Sequence, residues 1–319
     1  MDRRVFLATG VAAAMLPVAA RADDFTNYVA RLQARAAAAG IPQDIIAQTT
    51  GTLVPNADVL RLDKHQPEFT ETWATYSSHV LNQTRVAAGQ AKAAEASNLL
   101  AAVTSRFGVA SGVLLGIWGI ETNFGKTQGD FGVIDALVTL AWDRESSYFA
   151  GEAIAAMKII AGGQAPADKL IGSYAGAMGQ PQFMPSVYLS TAVAFSGDGR
   201  PDIWSSDADT LASMANYLAK DGWRPDEPSS ESVLVPSNID PAMTGRQNQR
   251  TIGYWTSRGV QRLPGAPLMS NETPAALLMP DGADGQAFLV FRNFSVIRRY
   301  NPSDFYALAV GALGRMALS

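Results

Sequence analysis

A glutamate at the end of an apolar segment is the strongest candidate for chemistry in this sequence. Glu121 follows the run V-L-L-G-I-W-G-I at positions 113–120. At helical spacing it shares a face with Trp118, Ile117 and Leu114, and a carboxyl group there loses hydration, which favours its neutral form. A carboxylic acid that keeps its proton is what general acid catalysis at a glycosidic oxygen requires. The helix alone leaves open the alternative that Glu121 marks the solvent end of a buried helix.

A second segment combines small residues with ring and amide side chains. Residues 172–188 read G-S-Y-A-G-A-M-G-Q-P-Q-F-M-P-S-V-Y and include Tyr174, Gln182 and Tyr188. This composition is typical of a sugar-binding wall, because aromatic rings stack on pyranose faces while amides and hydroxyls bind the sugar hydroxyls. The alternative is a tightly packed loop with a structural role only.

Other chemistries find little support. The chain has no cysteine, and its two histidines, His65 and His79, lie near no G-x-S-x-G segment, so we expect them on the surface or in helix packing. The segment G-I-E-T-N-F-G-K-T at 119–127 has five residues between its glycines, whereas a phosphate-binding loop has four. A formal net charge of −4 without basic clusters argues against nucleic acid as a partner.

The first 22 residues have the pattern of an export signal. Arg3 and Arg4 precede an apolar run from Val5 to Val18, and the small-residue pattern Ala20-Arg21-Ala22 follows. We predict a twin-arginine-like signal peptide over residues 1–22, with an ordinary secretory signal as the alternative. The run is too short for a transmembrane anchor, and no cysteine is available for lipid attachment. We therefore expect a soluble periplasmic protein.

The remaining patterns describe the elements that must position these residues. Helical spacing predicts helices over 25–50 with a break at Gly40-Ile41-Pro42, and over 69–107, 109–120, 135–160, 211–220 and 303–316. Residues 224–295 are rich in Pro, Gly, Asn and Ser and contain β-like runs at 232–235 and 287–291. The sequence therefore predicts a mainly α protein with a small β-containing insertion at roughly 224–295.

Three segments resemble the signatures of one known family. They are G-I-W-G-I-E-T-N-F-G at 116–125, S-Y-A-G-A-M-G-Q-P-Q-F-M-P-S at 173–186 and Y-N-P-S-D-F-Y-A at 300–307. In this order they resemble the membrane-bound lytic transglycosylase B family, and D-K-H-Q-P-E-F at 63–69 resembles its N-terminal segment. The resemblance runs from about Phe25 to the end of the chain. It implies a lysozyme-like helical core with an N-terminal helical subdomain, and a catalytic unit over residues 23–319.

The resemblance also implies roles for individual residues. Glu121 would be the sole catalytic acid/base, Ser173 and Gln182 would line the cleft, and the third segment would contact substrate. Together with the loop above, the expected substrate-binding residues are Ser173, Tyr174, Gln182, Tyr188, Tyr300, Asn301 and Tyr306. The implied reaction cleaves the β-1,4 bond between N-acetylmuramic acid and N-acetylglucosamine in peptidoglycan without water. It gives 1,6-anhydro products and requires no cofactor.

Two other functions remain open at this point. A hydrolytic muramidase needs a second carboxylate to activate water, and Asp130, Asp143 and Glu145 follow Glu121 in the sequence. A non-catalytic wall-binding protein needs no semi-buried acid. These alternatives differ in their products and in their dependence on Glu121.

A loop resembling an EF-hand gives the only candidate metal site. Ser196, Asp198 and Asp202 match its third, fifth and ninth positions, and Gly199 fits the turn. Its first position is Ala194 and its twelfth is Ser205, while Asp207 or Asp209 would have to act as a late ligand. We expect weak calcium binding at most, with a metal-free turn as the alternative.

Overall fold

The computed structural model describes residues 18–64, 71–195 and 199–319. Most of the predicted signal peptide (1–17), His65 and the loop residues Ser196 and Asp198 therefore lie outside the described residues. The last five residues of that signal, 18–22, form the start of the first helix.

The described chain is mainly helical. Its α-helices are α1 Val18–Ala38, α2 Gln43–Thr50, α3 Ala57–Lys64, α4 Trp73–Val80, α5 Gln83–Glu95, α6 Ser97–Phe107, α7 Ser111–Thr122, α8 Val133–Asp143, α9 Ser147–Ala161, α10 Pro185–Thr191, α11 Asp207–Lys220, α12 Ile252–Ser257, α13 Arg292–Tyr300 and α14 Asp304–Ala317. Its strands are β1 Phe131–Gly132, β2 Ile171–Gly172, β3 Ser230–Leu234, β4 Arg250–Thr251, β5 Gln261–Arg262, β6 Pro274–Leu278 and β7 Ala287–Val290. The mainly α prediction is confirmed.

Capping residues divide the longer predicted helices. The helix predicted over 69–107 is three helices. The side chains of Thr72 and Asn82 accept backbone N–H groups at the starts of α4 and α5, whereas α6 begins after Ala96 without a side-chain cap. The helix predicted over 135–160 divides at Ser146, which caps α9. The break predicted at Gly40 separates α1 from α2 as expected.

Within the residues that the structure describes, the chain forms two compact units. The first comprises Met1–Pro67 and Gly125–Ser213. In it, α8 packs on α9 and α3, and Val59, Ala136 and Leu140 form a small buried cluster. The short strands β1 and β2 pair antiparallel at the start of the second signature segment.

The second unit comprises Glu68–Phe124 and Met214–Ser319 and is built around α7. This helix packs on α14 and α5, and its residues from Val113 to Gly119 are all buried. A Cβ atom on Gly116 would collide with the backbone carbonyl of Val310, and one on Gly314 would collide with that of Gly112. The glycines therefore allow α7 and α14 to approach at backbone distance.

The β-containing region lies in the second unit. Strands β3 to β7 form an antiparallel sheet in the order β4-β6-β7-β3-β5, over a core that includes Trp255, Leu277 and Leu289. The turn between β6 and β7 reaches α4, where Asp281 accepts the backbone N–H groups of Trp73 and Ala74. The sheet therefore also fixes the start of α4. Helix α13 begins at Arg292, inside the span predicted as insertion, and the sequence analysis missed it.

No single helix among the described residues has both the length and the apolar composition to cross a bilayer. Helices α6 and α7 meet that test only as a pair, with a bend of 114° between them. Most of α7 is buried in the second unit.

Candidate active site

Glu121 lies in the last turn of α7, half-buried, in the second unit. The chain leaves the helix through three consecutive residues in the left-handed region, Asn123 (φ 49°), Phe124 (φ 60°) and Gly125 (φ 83°). A bulky residue such as Phe124 is rarely found there, and such backbone costs of order 1–3 kcal/mol per residue. The E-T-N-F-G segment is therefore a constrained turn that ends α7 directly after the acid.

Packing around Phe124 holds this turn in place. Its ring lies edge-on to Trp118, with ring centroids 5.7 Å apart. A Cβ atom on Gly119 would lie 2.6 Å from Cζ of Phe124, so a glycine is needed for the ring to fit. The aromatic residue and the glycine of the signature segment thus position the backbone beside Glu121.

Tyr306 is the direct partner of the acid. Its hydroxyl donates a hydrogen bond of 2.6 Å to Oε1 of Glu121, and its side chain is only 3% exposed. Burial raises the pKa of the Tyr306 phenol well above its ordinary value, and the charge of Glu121 raises it further. The phenol therefore keeps its proton and remains a donor to Glu121. Tyr306 is predicted to contact substrate, and the structure shows that its hydroxyl also contacts Glu121.

Tyr300 and Asn301 lie where α13 ends, just before α14. The Tyr300 side chain is 8% exposed, and its ring lies 5.0 Å from that of Tyr217. Oδ1 of Asn301 accepts the backbone N–H of Ser303, and Ser303 in turn caps α14 through the N–H of Tyr306. The third signature segment therefore forms the turn that places the Tyr306 hydroxyl beside Glu121.

Tyr76 lies close to Tyr306 in the same unit. Its ring stacks near Trp73 and Phe305, with centroids 6.2 and 5.7 Å away. Tyr76 and Tyr300 both raise the pKa of the Tyr306 phenol, after burial and Glu121. The structure therefore brings two further tyrosines close to the one that contacts Glu121. No spacing in the sequence links Tyr76 in α4 to residues more than two hundred positions away.

The second signature segment lies in the first unit. The hydroxyl oxygen of Ser173 accepts the backbone N–H groups of Ala175 and Ala177. Gln182 has a left-handed backbone (φ 51°), and its Nε2 donates to the carbonyls of Gln128 and Gly179. Both side chains are half-buried. The hydroxyl proton of Ser173 and Oε1 of Gln182 are the atoms left to recognise a substrate hydroxyl or amide.

The two tyrosines of this loop differ in accessibility. Tyr174 is half-buried and packs partly against the cluster formed by Val59, Ala136 and Leu140. Tyr188 is 1% exposed, and its hydroxyl donates to the carbonyl of Pro201 at 2.7 Å. A side chain so fully buried has no surface to offer a sugar. We therefore correct the substrate-binding prediction for Tyr188 to a packing role.

The carboxylates considered for a hydrolytic mechanism all lie in the first unit. Asp130 is exposed, Asp143 is half-buried at the end of α8, and Glu145 is exposed with a left-handed backbone (φ 47°). Glu121 is the carboxylate whose charge acts on Tyr306. His79 lies exposed in the last turn of α4, as expected for a residue without a catalytic role.

The described part of the EF-hand-like loop is held by protein groups. Asp202 pairs with Nζ of Lys169 at 2.6 Å and accepts the backbone N–H groups of Trp204 and Ser205. Asp209 accepts the backbone N–H groups of Phe195 and Asp202. Among the described residues, no group of three or more acidic or histidine side chains is arranged to hold a metal ion. Because the ammonium group of Lys169 already pairs with the carboxylate of Asp202, this carboxylate is poorly suited to bind a divalent cation. No catalytic step is therefore assigned to calcium.

Known proteins resemble this chain over most of its length. Membrane-bound lytic murein transglycosylase B of Escherichia coli (strain K12) is 36% identical over 217 residues, which cover 66% of this chain and 57% of that relative. The chain thus matches a little over half the length of this curated relative. The solved structure of SltB3 from Pseudomonas aeruginosa, in complex with a NAG-anhNAM-pentapeptide, has a TM-score of 0.86 at 39% identity. It covers 91% of this chain and 78% of that chain.

A third relative bears on the metal loop. The E. coli lytic transglycosylase Slt35 in complex with calcium matches with a TM-score of 0.77 at 28% identity, covering 95% of each chain. The lysozyme-like fold predicted from the sequence is confirmed by these neighbours. The family model described as the transglycosylase SLT domain matches residues 24–315. The chain therefore belongs to the transglycosylase SLT domain family.

Proposed function

We propose that this protein is a peptidoglycan lytic transglycosylase in which Glu121 is the sole acid/base. The observation that carries the proposal is the 2.6 Å hydrogen bond from the buried Tyr306 hydroxyl to Oε1 of Glu121. This hydrogen bond fixes the orientation of the carboxyl group and stabilises its charged form. The family membership and the similarity to lytic transglycosylases support the same reaction.

In the first step, Glu121 protonates the glycosidic oxygen between N-acetylmuramic acid and N-acetylglucosamine. As the C–O bond breaks, the 2-acetamido oxygen of the muramoyl residue attacks the anomeric carbon. A substrate group thus takes the place of the second carboxylate that most glycosidases use. The charge that develops on Glu121 is stabilised by the Tyr306 hydroxyl, which burial keeps protonated.

In the second step, Glu121 acts as the base. Its carboxylate removes the proton from the C6 hydroxyl of the same muramoyl residue, and the C6 oxygen attacks the anomeric carbon. The bond to the acetamido oxygen breaks, and a 1,6-anhydro ring forms. Glu121 regains its proton, so neither water nor a cofactor is consumed.

The substrate-binding residues are proposed from the signature segments and their accessibility. The half-buried Asn301 and Tyr76 and the less exposed Tyr300 belong to the second unit, and Ser173, Tyr174 and Gln182 belong to the loop of the first unit. The peptidoglycan glycan strand is the proposed partner. Half-buried aromatic and amide side chains suit a sugar polymer, which offers apolar ring faces and many hydroxyls.

Digestion of purified peptidoglycan tests the reaction. The soluble products are weighed by mass spectrometry for the parent protein, for Glu121→Gln and for Glu95→Gln, which changes an exposed glutamate in α5. We expect products lighter by one water molecule than hydrolytic products, from the parent and the Glu95 variant only. Reducing-end products would indicate a muramidase with a second carboxylate. No products from the parent would favour the wall-binding alternative.

We also propose that the protein acts in the periplasm after export through its twin-arginine-like signal. The pair Arg3-Arg4 is the feature that distinguishes this route from ordinary secretion. Replacing both arginines with lysine keeps the charge, so it should block export by the twin-arginine route and leave secretion by the other route intact. Fractionation of cells that produce each form measures the outcome.

A further inference from the structure

A polar cavity of about 300 Å³ lies in the second unit, where α13 begins. Three guanidinium groups line it, from Arg224, Arg292 and Arg299, together with the side chains of Gln249 and Ser295. Arg292, Ser295 and Arg299 share one face of α13, because they are spaced by three and four residues. All of these side chains donate hydrogen bonds, so the cavity offers donors to an acceptor-rich ligand.

The positive charges of the cavity are incompletely compensated. Arg224 and Arg299 make exposed ion pairs of 3.4 Å with Glu227 and Asp221, which also line the cavity. Arg292 makes no ion pair within the described chain, and the hydrogen bond of its Nε goes to the carbonyl of Gly222 at 3.5 Å. The side chains that line the cavity therefore carry a net charge of +1. Among the three guanidinium groups, that of Arg292 is the one without an ion pair in the described chain.

The frame behind the guanidinium groups is rigid. Asn293 is fully buried; its Oδ1 accepts the backbone N–H of Arg224, and its Nδ2 donates to the carbonyls of Arg224 and Glu227. Oε1 of Glu227 in turn accepts the backbone N–H of Arg292 at 2.6 Å. The turn 224–227 and the start of α13 are thus fixed to each other. A cluster of cations on a fixed frame is preorganised for an anion.

The cavity lies within reach of the proposed active site along α13. This helix begins at Arg292 and ends at Tyr300, a distance of about 12 Å at 1.5 Å per residue. Tyr300 belongs to the cluster around Tyr306 and Glu121. An extended peptide of five residues spans up to about 17 Å, so a peptide attached to a muramoyl residue at Glu121 can reach the cavity.

We propose that this cavity binds a carboxylate group of the peptide stem that peptidoglycan carries, with Arg292 as its main contact. The inference rests on the proposed function, since it adds recognition of the stem to recognition of the glycan. A guanidinium group suits a carboxylate because its donors bind the two carboxylate oxygens in parallel, and Arg299 on the same face of α13 adds a second positive charge.

Two measurements on the full chain test the proposal, with Arg292→Gln and the control Arg258→Gln, which changes an exposed arginine of the same β-containing region. The first is calorimetric titration with a synthetic stem pentapeptide, with its fully amidated form and with inorganic phosphate. The second is the cleavage rate on glycan strands that carry stems and on strands stripped of them. Melting temperatures establish that each variant is folded.

We expect Arg292→Gln to weaken binding of the carboxylate-bearing peptide about tenfold, and to lower kcat/KM only on strands that carry stems. The Arg258 variant should match the parent. Equal binding of the free and amidated peptides by the parent would overturn the proposal. So would unchanged binding by Arg292→Gln, or tighter binding of phosphate than of the peptide. A protein that binds the peptide through Arg292 but cleaves no strand would refute the proposed function alone.

Discussion

Replacing Tyr306 with phenylalanine removes one oxygen atom and tests the central feature of the site. The ring stays in its buried position, while Oε1 of Glu121 loses the hydrogen bond of 2.6 Å. The Tyr306 phenol is held protonated by burial and by the charge of Glu121, so it donates whether Glu121 is protonated or ionised. The variant therefore removes a donor without introducing a new charge.

The expected effect follows from the strength of hydrogen bonds to charged groups. Such bonds contribute about 1.5–3 kcal/mol, which corresponds to a rate loss of about tenfold to a hundredfold. The bond strengthens as Glu121 gives up its proton and becomes charged. The loss should therefore fall on kcat, with KM changing by less than about threefold.

The assay is the initial rate of release of anhydro products from peptidoglycan, measured by liquid chromatography and mass spectrometry over a range of substrate concentrations. Tyr254→Phe is the matched control, because it removes a tyrosine hydroxyl in α12 within the β-containing region. We expect this control to keep the parental kcat. Melting temperatures show whether any loss arises from unfolding.

A kcat for Tyr306→Phe within about twofold of the parent would refute the reasoning. A double-mutant cycle on stability gives a second test that does not depend on activity. Glu121→Gln and Tyr306→Phe should show a coupling free energy of unfolding of about 0.5–3 kcal/mol, because the two side chains are in contact. Additive effects would mean that the hydrogen bond contributes nothing measurable.

Three further predictions concern the frame around the site. Gly116→Ala would normally favour a helix, but its Cβ would collide with the Val310 carbonyl, so we expect a loss of about 1–3 kcal/mol in the free energy of unfolding, measured by urea denaturation. Burial opposes ionisation of Asp202, but hydrogen bonds led by that of Lys169 outweigh it and lower its pKa to about 2. A carboxyl group whose pKa is lowered by folding stabilises the fold at pH values above its ordinary pKa. This stabilisation is lost as the pH falls through the lowered pKa of about 2. Lys169→Met should therefore cost roughly 1 kcal/mol at pH 7, a value reduced by solvent screening of this partly exposed pair, and much less near pH 2, where Asp202 is partly protonated. Equal costs at both pH values would refute the pairing. Asp281→Ala should cost about 1 kcal/mol because the first N–H groups of α4 lose their acceptor, whereas a change at the exposed Asp284 should not matter.

Local patterns predicted most of the long helices and the break at Gly40, but not the divisions that depend on single capping residues. The apolar run before Glu121 identified α7, and the run at 287–291 identified β7, because burial on one or all faces leaves a periodic or continuous apolar signal. The divisions at Asn82 and Ser146 depend on single capping side chains within otherwise helical composition. Helix α13 was missed because a Pro- and Gly-rich region precedes it, and its three arginines dilute the apolar pattern.

The sequence predicted site residues that stand out from their local pattern, but it did not predict which side chains pack beside them in the fold. Glu121 is conspicuous because an acid follows eight apolar or small residues. The role of Tyr306 as its donor and the presence of Tyr76 depend on how α14 and α4 pack, which no local spacing encodes. Tyr188 looked available to a sugar because its loop is rich in turn residues, yet the loop folds so that this ring is buried.

The contact between α7 and α14 has a consequence for the order of folding. Glu121 and Tyr306 are separated by 185 positions, and their hydrogen bond forms only when the last helix has packed on α7. Closing a loop of that length costs entropy before any contact is gained, so contacts of this kind form late and slow the folding of a chain. During refolding, helical content should therefore return before a competent acid does. The chain would pass through a stage in which it is largely helical and has not yet formed the contact between Glu121 and Tyr306.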